Sequence, residues 1–219
     1  MKTNGDLNMK RRLPQYILGV IIMALGVVFA KKAEIGISPI TSLPAALSDL
    51  TSFSLGNLTI FFHVVCIIAQ IIITRKFDLK TALILPLALA FGYVIDFIMF
   101  LMRFELHAFW LRCVFCLIGI CFNGVGVATI VGADLMLPAP DALMRAISAK
   151  INVPHSRVKV IGDCIWVGST IIVELIFRGR LVSVNIGTVA SALLTGRVIG
   201  FVNKRFPGIK MEPTDMNKT

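Results

Sequence analysis

Charge is scarce in this chain. Only 16% of its 219 residues are charged while 57% are hydrophobic, and mean hydropathy is +0.86. A soluble domain carries about 25% charged and roughly 45–50% apolar residues, so the composition excludes an ordinary water-soluble fold. Histidine is also sparse, at three residues, and no aromatic-rich basic patch of the kind that binds single strands is present. The H-E-x-x-H, G-x-x-x-x-G-K-[ST] and G-x-S-x-G motifs are missing, so neither an enzymatic activity nor a cofactor is expected. Cys113 and Cys116 have the spacing of a metal or redox pair, but no second pair or nearby histidine completes it. They read, with Cys66, Cys121 and Cys164, as small apolar residues.

What the chain does have is long apolar blocks. Six are long enough to cross a bilayer: 13–30, 57–74, 81–102, 109–131, 158–177 and 184–203. The first is longer than a signal-peptide core and no A-x-A site follows it, so it reads as a retained span. The expected fold is an all-α polytopic membrane domain, with a basic N-terminus at 1–12 and a tail at 204–219. The formal charge of +10 does not point to nucleic acid, because Lys and Arg sit at the ends of the apolar blocks. The lipid bilayer is the partner they imply. With the N-terminus inside, the inner segments hold 14 basic residues and the outer ones six, which places both termini in the cytoplasm.

The chain also repeats itself. "AKKAEIGISPITSLPAALS" (30–48) is answered one hundred residues later by "IVGADLMLPAPDALMRAIS" (130–148). In that register Gly19, Gly26, Val27, Ala33, Leu43, Ala46 and Ser48 meet identical residues, and Glu34 meets Asp134. Further on, "GYVIDF" (92–97) meets "GRVIGF" (196–201) after a shift of four residues. The two units, 13–102 and 109–203, each hold three spans. Three is odd, so the second unit enters the membrane from the opposite face. An inverted-topology repeat is the expectation, with a site near the midplane between the units.

The quoted linkers hold Pro39 and Pro44, and Pro138 and Pro140, which prevent continuous helix. Short helices are expected over about 41–50 and 141–151, with Ser38, Thr41 and Asp141 as N-caps or first-turn residues. The segments 38–50 and 138–151 either re-enter the membrane or lie flat on it. Re-entrant backbone survives only where protein or water covers its polar groups. Gly19, Gly26, Gly119, Gly126 and the Gly196-x-x-x-Gly200 motif read as helix-packing positions.

Ionisable residues inside spans mark function by default. They are His63, Asp96, Asp163, Glu174 and Arg197. Rise per residue puts Asp163 and Arg197 at one depth, ~8–9 Å from the inner face, and His63 and Asp96 at one depth near the outer face. Asp163 is expected to pair with Arg197, and the two sets to form walls or gates of a pathway. Glu174 lies near the outer end of its span and is expected to be interfacial. Glu34, Asp134 and Asp141 belong to the repeated motif, where linker carboxylates are solvated or cap helices.

A span, a small-acid-aliphatic-Gly phrase with a following proline, a short helix and two more spans, all repeated, resembles the YczE-like (YczE/YyaS/YitT) bacterial integral membrane proteins. "AEIGISP" (Ala33 to Pro39, with Glu34 and Gly36) carries the likeness most directly. "ADLMLPAPD" (Ala133 to Asp141) shares Ala133, Asp134, Leu135 and Asp141, but has Met136 where glycine is usual. The first copy has Thr41 where an acid is common. The resemblance implies a bacterial cytoplasmic-membrane location and names no substrate. From the repeat and its polar residues the expected function is a small secondary transporter or exporter of an unidentified solute. A passive channel, or a non-transporting membrane partner of a cytoplasmic system, is the alternative. The chain's size is compatible with a homodimer.

Overall fold

A computed structural model of the protein describes residues 4–75, 77 and 79–205. The described residues form eight helices: α1 (Asn4–Ala33), α2 (Pro39–Leu50), α3 (Leu55–Thr74), α4 (Leu79–Leu101), α5 (Phe109–Ala133), α6 (Ala139–Ile151), α7 (His155–Arg178) and α8 (Ile186–Arg205). No strand occurs among them. Six of the helices are long and apolar enough to cross a membrane, and α2 and α6 are half that length. Large apolar side chains such as Phe61, Ile68 and Ile72 on α3, or Ile165, Ile172 and Ile176 on α7, point away from the protein. In water such stripes would be a liability, and in lipid they are the solvated surface. The tail after 205 lies outside the described residues, and most of the expected N-terminal segment belongs to α1.

The packing starts from α1 and α5, which run antiparallel at the centre. Their approach is set by glycine. A Cβ on Gly26 would lie 2.5 Å from the Asn123 nitrogen, and one on Gly126 2.6 Å from the Met23 nitrogen. Backbone meets backbone there, as the sequence spacing of these glycines suggested. The antiparallel order gives the molecule two faces. Glu34, Asp49 and Arg112 mark one, and Arg12, Asp134 and Lys150 the other; we call them the Glu34 face and the Asp134 face. Around the central pair, α4 packs on α1 and α8 on α5, while α3 packs on α4.

The two short helices cross over. α2 packs on α7 and α6 packs on α3. α2 runs alongside α7 in the same direction: the Ser42 and Thr170 hydroxyls are hydrogen-bonded at 2.9 Å, and Arg178 donates to Asp49 at 3.3 Å. Thr170 lies about 12 Å along α7 from Arg178. α6 does the same on α3, with Lys150 donating to the Ile73 carbonyl at the Asp134 face and Ala139 buried with Phe62 and Cys66 further in. Ile40 and Leu43 of α2 join that same apolar cluster.

Both short helices begin two residues before the expected start, because proline is well placed at the first helical positions, where the N–H is orphaned anyway. Pro39 takes N1 of α2 and Pro140 N2 of α6. Ser38 and Pro138 are the N-caps and neither makes a side-chain cap bond. Thr41 instead donates to the Ser38 carbonyl at 3.2 Å. Pro44 does not break α2 as expected. It sits inside the helix, fully buried, where it removes only one hydrogen bond, to the Ile40 carbonyl.

Candidate functional site

The motif acids have both a backbone and a charge role. Glu34 and Asp134 follow the last residues of α1 and α5, and both have left-handed backbone, with φ of 54° and 48°. This conformation ends a helix by turning its last carbonyls toward following N–H groups. Each carboxylate then meets an arginine on the other long helix. Arg112 lies 3.1 Å from Glu34, and Arg12 lies 3.6 Å from Asp134. Arg12 and Arg112 are themselves one hundred residues apart. This reciprocal cross-brace was missed in the sequence, although the arginines stand in the register of the repeat. Gly36 is needed for the next step of the chain: its φ is 117°, and a Cβ there would lie 2.5 Å from the Thr188 nitrogen. Ile35 and Ile37 then exchange backbone bonds with Gly187 and Ser183, fastening the start of α2 to the start of α8.

Two polar centres result. At the Glu34 face, Lys31 donates to Asp49 at 2.6 Å and to the Ala45 carbonyl at 2.9 Å, while Arg178 holds the other Asp49 oxygen. These residues, with Glu34, Arg180 and Ser183, line a cavity of about 240 Å³. Beneath it Glu174, near the end of its span, is fully buried within the protein. Its two oxygens accept the backbone N–H groups of Val182 and Ser183 at 2.9 and 2.8 Å, so the carboxylate is drawn inward by the turn it caps.

Toward the Asp134 face, Lys159 of α7 is ion-paired with Asp141 in the first turn of α6. Asp141 lies within electrostatic reach of His63 on one side and of Asp163 on the other. His63 is buried and stacks on Phe91, ring centroids 5.7 Å apart. It shares a cavity of about 20 Å³ with Tyr16, Phe91, Pro138 and Ala139, room for about one water. The first turn of α6 thus ends beside a buried imidazole, near the centre of the molecule.

Four of the five intramembrane residues singled out in the sequence, His63, Asp96, Asp163 and Arg197, do not form the expected pairs. Asp163 faces the Lys159–Asp141 pair, whereas Arg197 is exposed on α8 and makes no ion pair among the described residues. Equal depth did not bring them together because α7 and α8 are not packed on each other. Asp96 is likewise separate from His63. It accepts from the Ser54 hydroxyl at 2.6 Å and the Gly56 N–H at 2.8 Å, so it closes the first turn of α3 from across the helix pair. Gly196 and Gly200 make no packing contact within the described structure either, since a Cβ on each would meet nothing within 4 Å. Among the described residues, no three His, Cys, Asp or Glu side chains are grouped to hold a metal ion.

No curated protein and no solved structure matches the chain. A family model does match, over residues 10–204, which takes in all six spans and both short helices. The chain belongs to the family described as "Family of unknown function (DUF6198)".

Proposed function

We propose that the protein is a small secondary transporter or exporter in a bacterial cytoplasmic membrane, built from two inverted repeats, 13–102 and 109–203, that alternate access to a shared site. The observation that carries this reading is the crossed packing of the short helices. α2 of the first unit runs along α7 of the second, and α6 of the second along α3 of the first. In the proposal both are re-entrant, one from each face, and their N-terminal turns approach the midplane where Ile40, Leu43 and Ala139 share one cluster. Discontinuous helices that end at mid-membrane between inverted units are a recurrent way to build a solute site. Their prolines suit that depth, because Pro39, Pro138 and Pro140 have no N–H left to satisfy away from water.

The Glu34 face is outward in this reading, following the excess of Lys and Arg on the other side. The cavity lined by Lys31, Asp49 and Arg178 is then the outer vestibule. The His63, Asp141, Lys159 and Asp163 group is the inner half of the path. The likeness to the YczE/YyaS/YitT proteins agrees with this location and adds no substrate.

The test is solid-supported membrane electrophysiology on proteoliposomes, with amino acids, carboxylates, sugars and quaternary ammonium ions applied under imposed proton and sodium gradients. A transient current or tracer uptake that disappears in Asp141→Ala is the expected result. Silence across the whole panel under both gradients rejects the proposal. Steady conductance with no dependence on a gradient identifies a channel instead. One observation favours the non-transporting alternative, a membrane partner of a cytoplasmic system: Asp96 and Glu174 are closed structural caps, each with two donors.

A further inference from the structure

Apart from a slight α2–α8 contact, helix packing repeats between the two halves with one exception. In the hundred-residue correspondence, α1 to α4 stand for α5 to α8. α2 on α7 then matches α6 on α3, α1 on α4 matches α5 on α8, and α2 on α3 matches α6 on α7, and all six pairs are packed. α3 is packed on α4 as well, but α7 is not packed on α8 in this way.

The surfaces for the missing contact are nevertheless present. Between α3 and α4, the Ile60 side chain is pressed against Gly92, and Gly56 lies against the Gly92 carbonyl and the Asp96 carboxylate. The corresponding positions are Val160 for Ile60, Ser156 for Gly56, Gly196 for Gly92 and Gly200 for Asp96. Val160 is 62% exposed, and Gly196 and Gly200 face open space. A knob and its hole are therefore both in place and apart.

We infer that the chain has a second conformation in which α7 closes on α8, seating Val160 over Gly196 as Ile60 is seated over Gly92, while α3 withdraws from α4. The exchange trades one packed helix pair for its counterpart, so the two states are close in energy, as a two-state device requires. They are not equal, because Asp96 bonds Ser54 and Gly56 in the α3–α4 pair and Gly200 offers α7 no such carboxylate. Asp96 is thus the latch of the present state. Small glycine-lined contacts suit a reversible closure in lipid, where packing rather than hydrophobic burial drives helix association. The inference rests on the repeat in the proposed function but not on solute movement. A chain that makes this exchange and moves no solute keeps the device and loses the transporter.

The test is oxidative cross-linking of the full chain in native membranes, with its five cysteines replaced by serine. Val160→Cys with Gly196→Cys is the first pair and Ser156→Cys with Gly200→Cys the second; the two glycine positions have room for the new side chains. Ser42→Cys with Thr170→Cys, whose hydroxyls are 2.9 Å apart, reports a chain folded as described. Both test pairs are expected to link within one chain, and Asp96→Ala is expected to raise the rate roughly tenfold by removing charge-assisted hydrogen bonds of the latch. Absence of a link at both pairs while the Ser42/Thr170 pair forms overturns the inference. So does a link found only between two chains, which gives the α7–α8 groove to a second copy. A rate unmoved by Asp96→Ala removes the latch.

Discussion

Glu34 and Asp134 show how one residue type can serve two ends at once. Both end a helix in left-handed backbone, a conformation that Asp tolerates better than most residues and that is most costly for β-branched ones. Each also meets its arginine at a partly exposed position, where an ion pair contributes no more than about 1 kcal/mol. The backbone therefore outweighs the charge. Asp134→Gly is expected to leave thermal stability in detergent nearly unchanged, and Asp134→Val to cost about 1–2 kcal/mol. Equal losses in the two variants would mean that the charge dominates. Glu174 is the opposite case, since no water reaches it and two backbone donors depend on it. Glu174→Ala is expected to cost about 3 kcal/mol or more, read as a fall in the melting temperature by scanning fluorimetry. Arg197→Ala is expected to leave that temperature unmoved, as the side chain is exposed and unpaired among the described residues. Sequence depth alone gave Asp163 and Arg197 a common level but no azimuth. Their partners depend on which helices pack, and that is a property of the whole bundle.

Helices were the most legible level. A run of apolar residues long enough to span lipid needs no tertiary context, so all six spans lie where hydropathy puts them, with ends moved by a few residues. The ends moved because Glu34 and Asp134 stop α1 and α5 only after Ala33 and Ala133, beyond the last strongly apolar positions. The short helices were legible as helices, but not their starts or the tolerance of α2 for Pro44. Glycine shows the limit most clearly. Spacing treats Gly26 and Gly196 alike, as small residues on a helix face, yet the first touches the backbone of α5 and the second touches nothing. Opposite outcomes follow for one substitution. Gly26→Ala forces a Cβ to within 2.5 Å of the Asn123 nitrogen and is expected to cost about 1–3 kcal/mol. Gly196→Ala fills open space and is expected to add about 0.5–1 kcal/mol by favouring helix. Paired thermal melts of the purified variants check the sign of each. A loss at Gly196 would show that α8 is packed against something in the membrane.

For the molecule as a whole, the repeated phrase, the cross-brace and the crossed short helices converge on one arrangement. Arg12 with Asp134 and Arg112 with Glu34 are the same contact made twice, once at each face. The identities in 17–48 made the repeat legible, and the odd number of spans made its inversion an expectation. The paired arginines lay just outside that window and were not read as part of it. The cavity at the Glu34 face had no sequence signal, because its lining comes from α1, the turn after it, α2, α7 and the turn after α7, segments that only folding brings together. The central claim is that equivalent points of the two units lie on opposite sides of the membrane. Thr51 and Ile151 are such points, one hundred residues apart, just after α2 and at the end of α6, and both are exposed. The direct measurement is labelling of Thr51→Cys and Ile151→Cys, each in a cysteine-free chain, with a membrane-impermeant maleimide on intact cells and on inside-out vesicles. The account requires Thr51→Cys to react only in intact cells and Ile151→Cys only in the vesicles; reaction of both from the same side would contradict it.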